Sequence, residues 1–312
     1  MCVPTGVRFW GSSRYGKKVN FKGTALILAG HGSTKNADSS RHTRETARRL
    51  QRRGIFKEVR AGFWKESPSF QEVFHGLEAK EAIVVPWFLT RGYFVEKVLV
   101  EQFKDTPIPV RVVEPIGSRS EIVQLMRSRA RRLAEGSFRF RFRFKRAIEG
   151  LLGISKLTAA PARSGWARAF ARGWFARFIP SPSEVAVRET SLLLASHGTP
   201  LHKGSRVAAD GLAEELGKDG YRVARAMFLE EEPKIADWRQ VAAPEGPVMV
   251  LPHFLAGGLH GSEDVPGLLG IPHGREGWHK VDGRWIGYGA PIGMPDEMTE
   301  LILKMVGAEL RG

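Results

Sequence analysis

Two His-Gly dipeptides, each directly after a run of small and aliphatic residues, have the means to do chemistry in this 312-residue chain: His31 in Leu26-Ile-Leu-Ala-Gly-His31-Gly-Ser-Thr and His197 in Leu192-Leu-Leu-Ala-Ser-His197-Gly-Thr-Pro. An imidazole titrates near neutral pH and binds first-row divalent metals, so each can move a proton or hold an ion. Glu230, His253 and His260 follow His197 at intervals that place them after the next strands. Two imidazoles and a carboxylate arriving from separate loops suit a divalent transition metal, and equally suit proton removal. Around His31 the set is broken, because Lys65 stands where Glu230 stands and Phe94 where His260 stands. Neither an ammonium nor a phenyl ring replaces a metal ligand, so the two halves have unequal roles. Phosphoryl transfer through either histidine is disfavoured, since neither has an adjacent arginine or a glycine-rich phosphate loop.

The elements that must position these groups come in two copies. Besides the His-Gly segments, Gly62-Phe-Trp-Lys65-Glu-Ser-Pro68 matches Met227-Phe-Leu-Glu230-Glu-Glu-Pro233, and Ile83-Val-Val-Pro86-Trp-Phe-Leu matches Met249-Val-Leu-Pro252-His-Phe-Leu in part. Glu114-Pro-Ile-Gly117 matches Ala290-Pro-Ile-Gly293, with an insertion near 266–284 that carries His273 and His279. Four matches in one order indicate a duplicated domain. Short apolar runs at 25–29, 81–89, 109–113, 191–195 and 247–251 read as buried parallel strands. Helical patterns lie at 36–53, with Ala47 and Leu50, and at 203–217, with Val207, Leu212 and Leu216; closing helices are expected over 118–134 and 294–310. The expected fold is α/β, each copy a parallel sheet with helices on both faces. Ligands of such sheets bind at the carboxyl ends of the strands, where His31 and His197 fall.

Composition sets the outer bounds. One cysteine, Cys2, excludes a disulfide framework and a Cys-ligated cluster within the chain. The net charge of +15 is unevenly spread. Residues 1–22 hold five basic and no acidic side chains, and residues 118–180 hold fifteen basic and three acidic ones. A nucleic-acid enzyme spreads such charge over a folded face, so no nucleic-acid partner is expected. The organisation expected is a basic tail over 1–22, repeats at 23–135 and 188–312, and a basic, aromatic connector at 136–187. Within the connector Phe138-Arg-Phe-Arg-Phe-Arg-Phe-Lys145 alternates strictly, and 166–178 has aromatics at helical spacing. Such a segment, over 136–180, is compatible with peripheral contact to an anionic membrane. Without a secretory h-region or a long apolar run, the expected location is cytoplasmic, with or without membrane association.

The repeat resembles the class II sirohydrochlorin chelatases of the CbiX/SirB type. The residues that carry the resemblance are Leu-Ala-Gly-His31-Gly-Ser, Ala-Ile-Val-Val-Pro86-Trp-Phe-Leu, Met-Phe-Leu-Glu230-Glu-Glu-Pro and Pro252-His-Phe-Leu-Ala-Gly-Gly-Leu-His260-Gly-Ser-Glu-Asp264-Val-Pro. The resemblance implies two flavodoxin-like, chelatase-like lobes with a tetrapyrrole in the cleft between them. It implies insertion of Co²⁺ or Fe²⁺ by His197, Glu230 and His260, with no cofactor beyond the substrate metal. Ser33, Lys65 and Arg91 then become anchors for the carboxylates of the substrate, with His31 and His253 beside it, His253 with a packing or supporting role. Fusion of the two lobes implies a monomer. A non-catalytic tetrapyrrole or metal carrier on the same fold is the alternative.

Overall fold

The computed structural model describes residues 21–34, 39–118, 120–134, 187–199, 203–255 and 260–309. Residues 1–20 of the tail and nearly all of the connector fall outside them. The first lobe comprises β1 (Thr24–Gly30), α1 (Arg41–Arg52), β2 (Glu58–Phe63), β3 (Glu81–Pro86), β4 (Val110–Val112) and α2 (120–134). Its four strands are all parallel, in the order β2-β1-β3-β4. The second comprises β5 (Ser191–Ser196), α3 (Lys203–Gly217), β6 (Val223–Phe228), β7 (Val248–Pro252), β8 (Gly277–Val281), β9 (Arg284–Tyr288) and α4 (Pro295–Glu309), with sheet order β6-β5-β7-β9-β8.

The central strands are buried along their whole length, so they feed two cores at once. Leu26 and Leu28 of β1 and Leu192 and Leu194 of β5 enter one cluster, together with Leu50, Met126, Leu216, Met298 and Ile302 of the four long helices. The alternate residues, Ala25, Ile27 and Ala29 in one lobe and Leu193 and Ala195 in the other, enter separate outer clusters. Period-two alternation thus places α1 to α4 as an inner layer between the sheets, with short helical turns outside. Charged pairs fasten this layer: Arg53 to Glu300, Arg49 to Asp296, and Arg127 to Asp219 at 2.9 Å. Part of the basic charge counted before the connector is therefore interface, on α2.

Three expectations need correction. The second sheet is not wholly parallel: β8 runs antiparallel to β9 at its edge. The insertion is this hairpin, whose turn at Asp282-Gly283 has positive φ at both residues (48° and 79°), as a tight two-residue hairpin turn requires. Its Trp278 Nε1–H donates to the Leu133 carbonyl across the lobes at 2.9 Å, and His279 Nε2 lies 3.1 Å from the Arg275 carbonyl. Second, β3 ends at Pro86, and α1 begins at Arg41. Third, Val207 points to solvent, 66% exposed, and Ala209 and Ala213 fill the buried stripe of α3 instead.

Candidate functional site

Each His-Gly pair leaves its strand through the same turn. Gly32 and Gly198 have φ of 68° and 70°, the left-handed region that glycine tolerates. A Cβ at Gly198 would stand 3.0 Å from that of Phe228, so a side chain there would be crowded as well as strained. The turn leaves the histidine carbonyl facing the next loop. The His197 carbonyl accepts from Leu229 and Glu230 N–H at 3.1 and 3.0 Å, as the His31 carbonyl accepts from Trp64 and Lys65 at 3.2 and 2.9 Å.

The acidic run after β6 divides its labour. Glu231 accepts from the Thr199 N–H and so ties the histidine loop down. Its counterpart Glu66 accepts from the Ser33 N–H at 2.9 Å and from Arg44 at 2.7 Å. Burial works against the charged form of Glu66, but hydrogen bonds from Ser40, Arg44 and Ser33 outweigh it and hold the carboxyl below its usual range. Glu230 instead extends beside His197, its Oε2 3.8 Å from Nδ1.

His260 opens a π-helical turn, His260–Asp264, and its ring stands edge-on to His197 with centroids 5.0 Å apart at 87°. The Tyr288 hydroxyl on β9 donates to the Gly261 carbonyl at 2.7 Å and fixes that turn. His260 Nδ1 lies 2.6 Å from Asp264 Oδ2, and His197 Nδ1 2.8 Å from the Gly198 carbonyl. A carbonyl or ionised carboxylate can only accept, so in the neutral ring Nδ1 is the donor and Nε2 keeps its lone pair. Two basic nitrogens, half-exposed beside a carboxylate, can take protons or bind an incoming ion. Among the described residues no group of three His, Cys, Asp or Glu is arranged to hold a metal by itself.

The first lobe repeats the backbone with other chemistry. His31 Nδ1 again lies 2.8 Å from the next carbonyl. Its neighbours are Trp64 and Phe94, with centroids 5.2 and 5.6 Å away, and Phe88 packs on Phe94 at 4.5 Å. Lys65 Nζ lies 3.7 Å from the Trp64 ring centroid. Arg91 pairs with Glu114 at 2.9 Å. Ser33 is engaged with Glu66 through its N–H.

His253 sits apart from the rim. It is 2% exposed, its Nδ1 3.3 Å from Ser196 Oγ, at the back of a cavity of ≈ 440 Å³ between α2 and α3. Burial pushes its imidazole down to about 4. In the unfolded chain the group titrates near ~6.5. Between these values the unfolded chain binds a proton that the folded chain refuses. Stability is therefore full above about pH 6.5 and is lost as pH falls toward 4, by about 3 kcal/mol from this residue. Urea midpoints at pH 7 and pH 4.5 test this: His253→Gln is expected to fall less on acidification than the parent. Equal falls would exclude His253 as the cause.

The sequence motif alone assigns no role to Asp264, nor to the aromatic set around His31. His260 and Asp264 are four apart, the spacing of neighbours on a helix, and that was the available signal.

These features define a two-lobed α/β protein in which, among the described residues, the paired imidazoles belong to the second lobe. The sequence profile of the CbiX family matches residues 25–133 and 191–308, and the chain belongs to that family, with two CbiX-like domains. A probable sirohydrochlorin cobaltochelatase of Halobacterium salinarum is 26% identical over 243 residues, 78% of this chain and 75% of that protein. The crystal structure of DR2241 from Deinococcus radiodurans, described as similar to chelatases with two additional novel domains, has a TM-score of 0.59 at 20% identity. It covers 93% of this chain, which spans 55% of DR2241. The structure of CbiX, described as the terminal enzyme for siroheme biosynthesis in denitrifying bacteria, has a TM-score of 0.55 at 20% identity, covering 90% of this chain and 98% of its own.

Proposed function

We propose that this chain inserts a divalent metal, Co²⁺ or Fe²⁺, into a sirohydrochlorin-type tetrapyrrole held between the lobes. The observation that carries the reading is the His197–His260 pair, 5.0 Å apart, with both Nδ1 atoms engaged elsewhere. Insertion exchanges two pyrrole N–H protons for one metal ion. One Nε2 lone pair accepts the two ring protons in turn and passes each on to solvent, while the other imidazole holds the ion as it sheds water. Glu230, half-exposed beside His197, relays protons or completes the ligand set with the macrocycle's own nitrogens. The hydrogen bond to Asp264 fixes the orientation of the His260 ring. The name of the Halobacterium relative supports cobalt. The lobes are proposed as flavodoxin-like, a reading supported by the 2-1-3-4 strand order. No helix among the described residues is long and apolar enough to cross a membrane.

The test is anaerobic addition of Co²⁺ or Fe²⁺ to the full chain with metal-free sirohydrochlorin, followed by loss of the free macrocycle's absorption. Acceleration over the protein-free rate supports the reading. Tight binding of the macrocycle without acceleration would establish a carrier instead.

A further inference from the structure

We infer that the first lobe's altered site is the docking face for the macrocycle: Trp64 and Phe94 receive the ring's flat surface, and Lys65 one of its peripheral carboxylates. The inference rests on the chelatase reading and assigns this chain's own residues to substrate positioning.

Three observations carry it. First, the backbone of the site is kept in the first lobe, down to the paired N–H bonds on the histidine carbonyl and the glutamate that ties the loop. What differs is the chemistry at each outward position. Trp64 replaces Leu229, Lys65 replaces Glu230 and Phe94 replaces His260, so a metal-binding and proton-accepting set becomes π-surface with a cation. A degenerate copy under no demand has no reason to expose tryptophan, yet Trp64 is 39% exposed while ring contacts join it to His31 and Phe94. Second, the chemistry matches the proposed substrate at both scales. A conjugated macrocycle offers a flat apolar face to aromatic rings, and its carboxylate rim suits an exposed ammonium. Lys65 Nζ over the Trp64 ring keeps the cation and the flat surface in one unit. Third, the two rims adjoin. A Cβ on Gly204, near the start of α3 and just beyond the loop that carries His197, would lie 3.9 Å from the Arg91 carbonyl of the first lobe. The helix pairs agree, since Arg49 of α1 and Arg53 just after it meet Asp296 and Glu300 of α4 in parallel order, which brings the carboxyl ends of both sheets to the same side.

Trp64 and Lys65 are thus positioning residues, and they act on binding rather than on the metal step. Equilibrium titration of metal-free sirohydrochlorin into the full chain, without metal, reads this directly. Trp64→Ala is expected to weaken binding about 10-fold or more, the loss of an aromatic contact together with its buried area. Trp64→Phe should recover most of it, and Lys65→Gln should weaken it severalfold and reduce its dependence on salt. In turnover, Trp64→Ala should raise KM with kcat within about twofold of the parent. The position is partly exposed, so folding can be confirmed by an unchanged thermal midpoint. Binding by Trp64→Ala within twofold of the parent, or a fall in kcat at unchanged KM, overturns the docking face and leaves the chelatase reading standing. If the parent binds no macrocycle at all, both fall together.

Discussion

His260→Ala is expected to slow metal insertion by at least about 100-fold, whereas His31→Ala stays within about threefold of the parent. Both histidines follow equivalent signals in the chain, and His31 sits in a turn nearly identical to that of His197. What separates them is company. His260 faces a second imidazole at 5.0 Å and is backed by Asp264, while His31 faces Trp64 and Phe94. Positioned acid–base groups contribute roughly 10²–10⁴ in rate, and removal of one imidazole also takes away a metal ligand. His197→Ala should fall in the same range. Asp264→Asn should lose about 10–100-fold, the usual cost of removing the carboxylate that orients a ligating histidine. Initial rates of macrocycle absorption change at saturating Co²⁺ and Fe²⁺ measure all four variants. Insertion retained in both His197→Ala and His260→Ala would remove the second lobe's claim to the chemistry. A deep loss in His31→Ala would move it to the first.

Much of this arrangement is visible in the residues. The strands β1 and β5 are unbroken apolar runs because both faces of each are covered, and such runs leave little room for another reading. The Pro-Ile-Gly turns recur because a Cβ at Gly117 or Gly293 would lie within 2.0 Å of the carbonyl oxygen of Leu89 or Leu255. Other features are set by tertiary context. Nothing in Glu-Glu-Glu says that Glu230 lies beside His197 while Glu231 is consumed by the Thr199 N–H. Val207 fits a helical apolar stripe but lies at its edge, where the stripe meets solvent. The hairpin was legible: Asp282-Gly283 between two aromatic, β-branched runs is a strong turn signal, but the parallel repeat around it directs attention elsewhere. His253 occupies a rim position by count, yet its ring turns inward to Ser196.

The inter-lobe contact least visible in the sequence should have the largest effect on stability. Arg129 on α2 is 4% exposed and points into the other lobe. Its Nη1 donates to the carbonyls of Ala290 and Pro291, and its Nη2 to the Ile292 carbonyl at 3.2 Å and to the Glu297 carboxylate. Burial pushes the guanidinium downward and Glu297 opposes that, so the charge is held by its partner as well as by three carbonyls. The repeat has no second such latch, because Met305 stands at the matching position of α4 and is buried in the core. Arg129→Ala removes the donor to the Ala290 and Pro291 carbonyls, leaves Ile292 only the Met294 N–H, leaves the carboxylate of Glu297 only the exposed Arg132, and opens a cavity in the helix layer. The expected cost is about 3–5 kcal/mol, the range for removing one partner of a buried ionic contact. Arg129→Met keeps most of the volume, so a similar loss there would assign the effect to hydrogen bonds, and recovery would assign it to packing. The contact also leads to the site. The carbonyls Arg129 holds belong to the turn that ends at Gly293, whose N–H donates to Phe254 at 3.3 Å, and the Phe254 ring lies 6.3 Å from His260. Urea unfolding at pH 7 reads the first effect and the rate of metal insertion in the absence of denaturant reads the second. A loss below 1 kcal/mol in Arg129→Ala would show that the helix layer holds the lobes together without this residue. A full loss of stability with unchanged insertion would show that the turn and the imidazole pair are uncoupled.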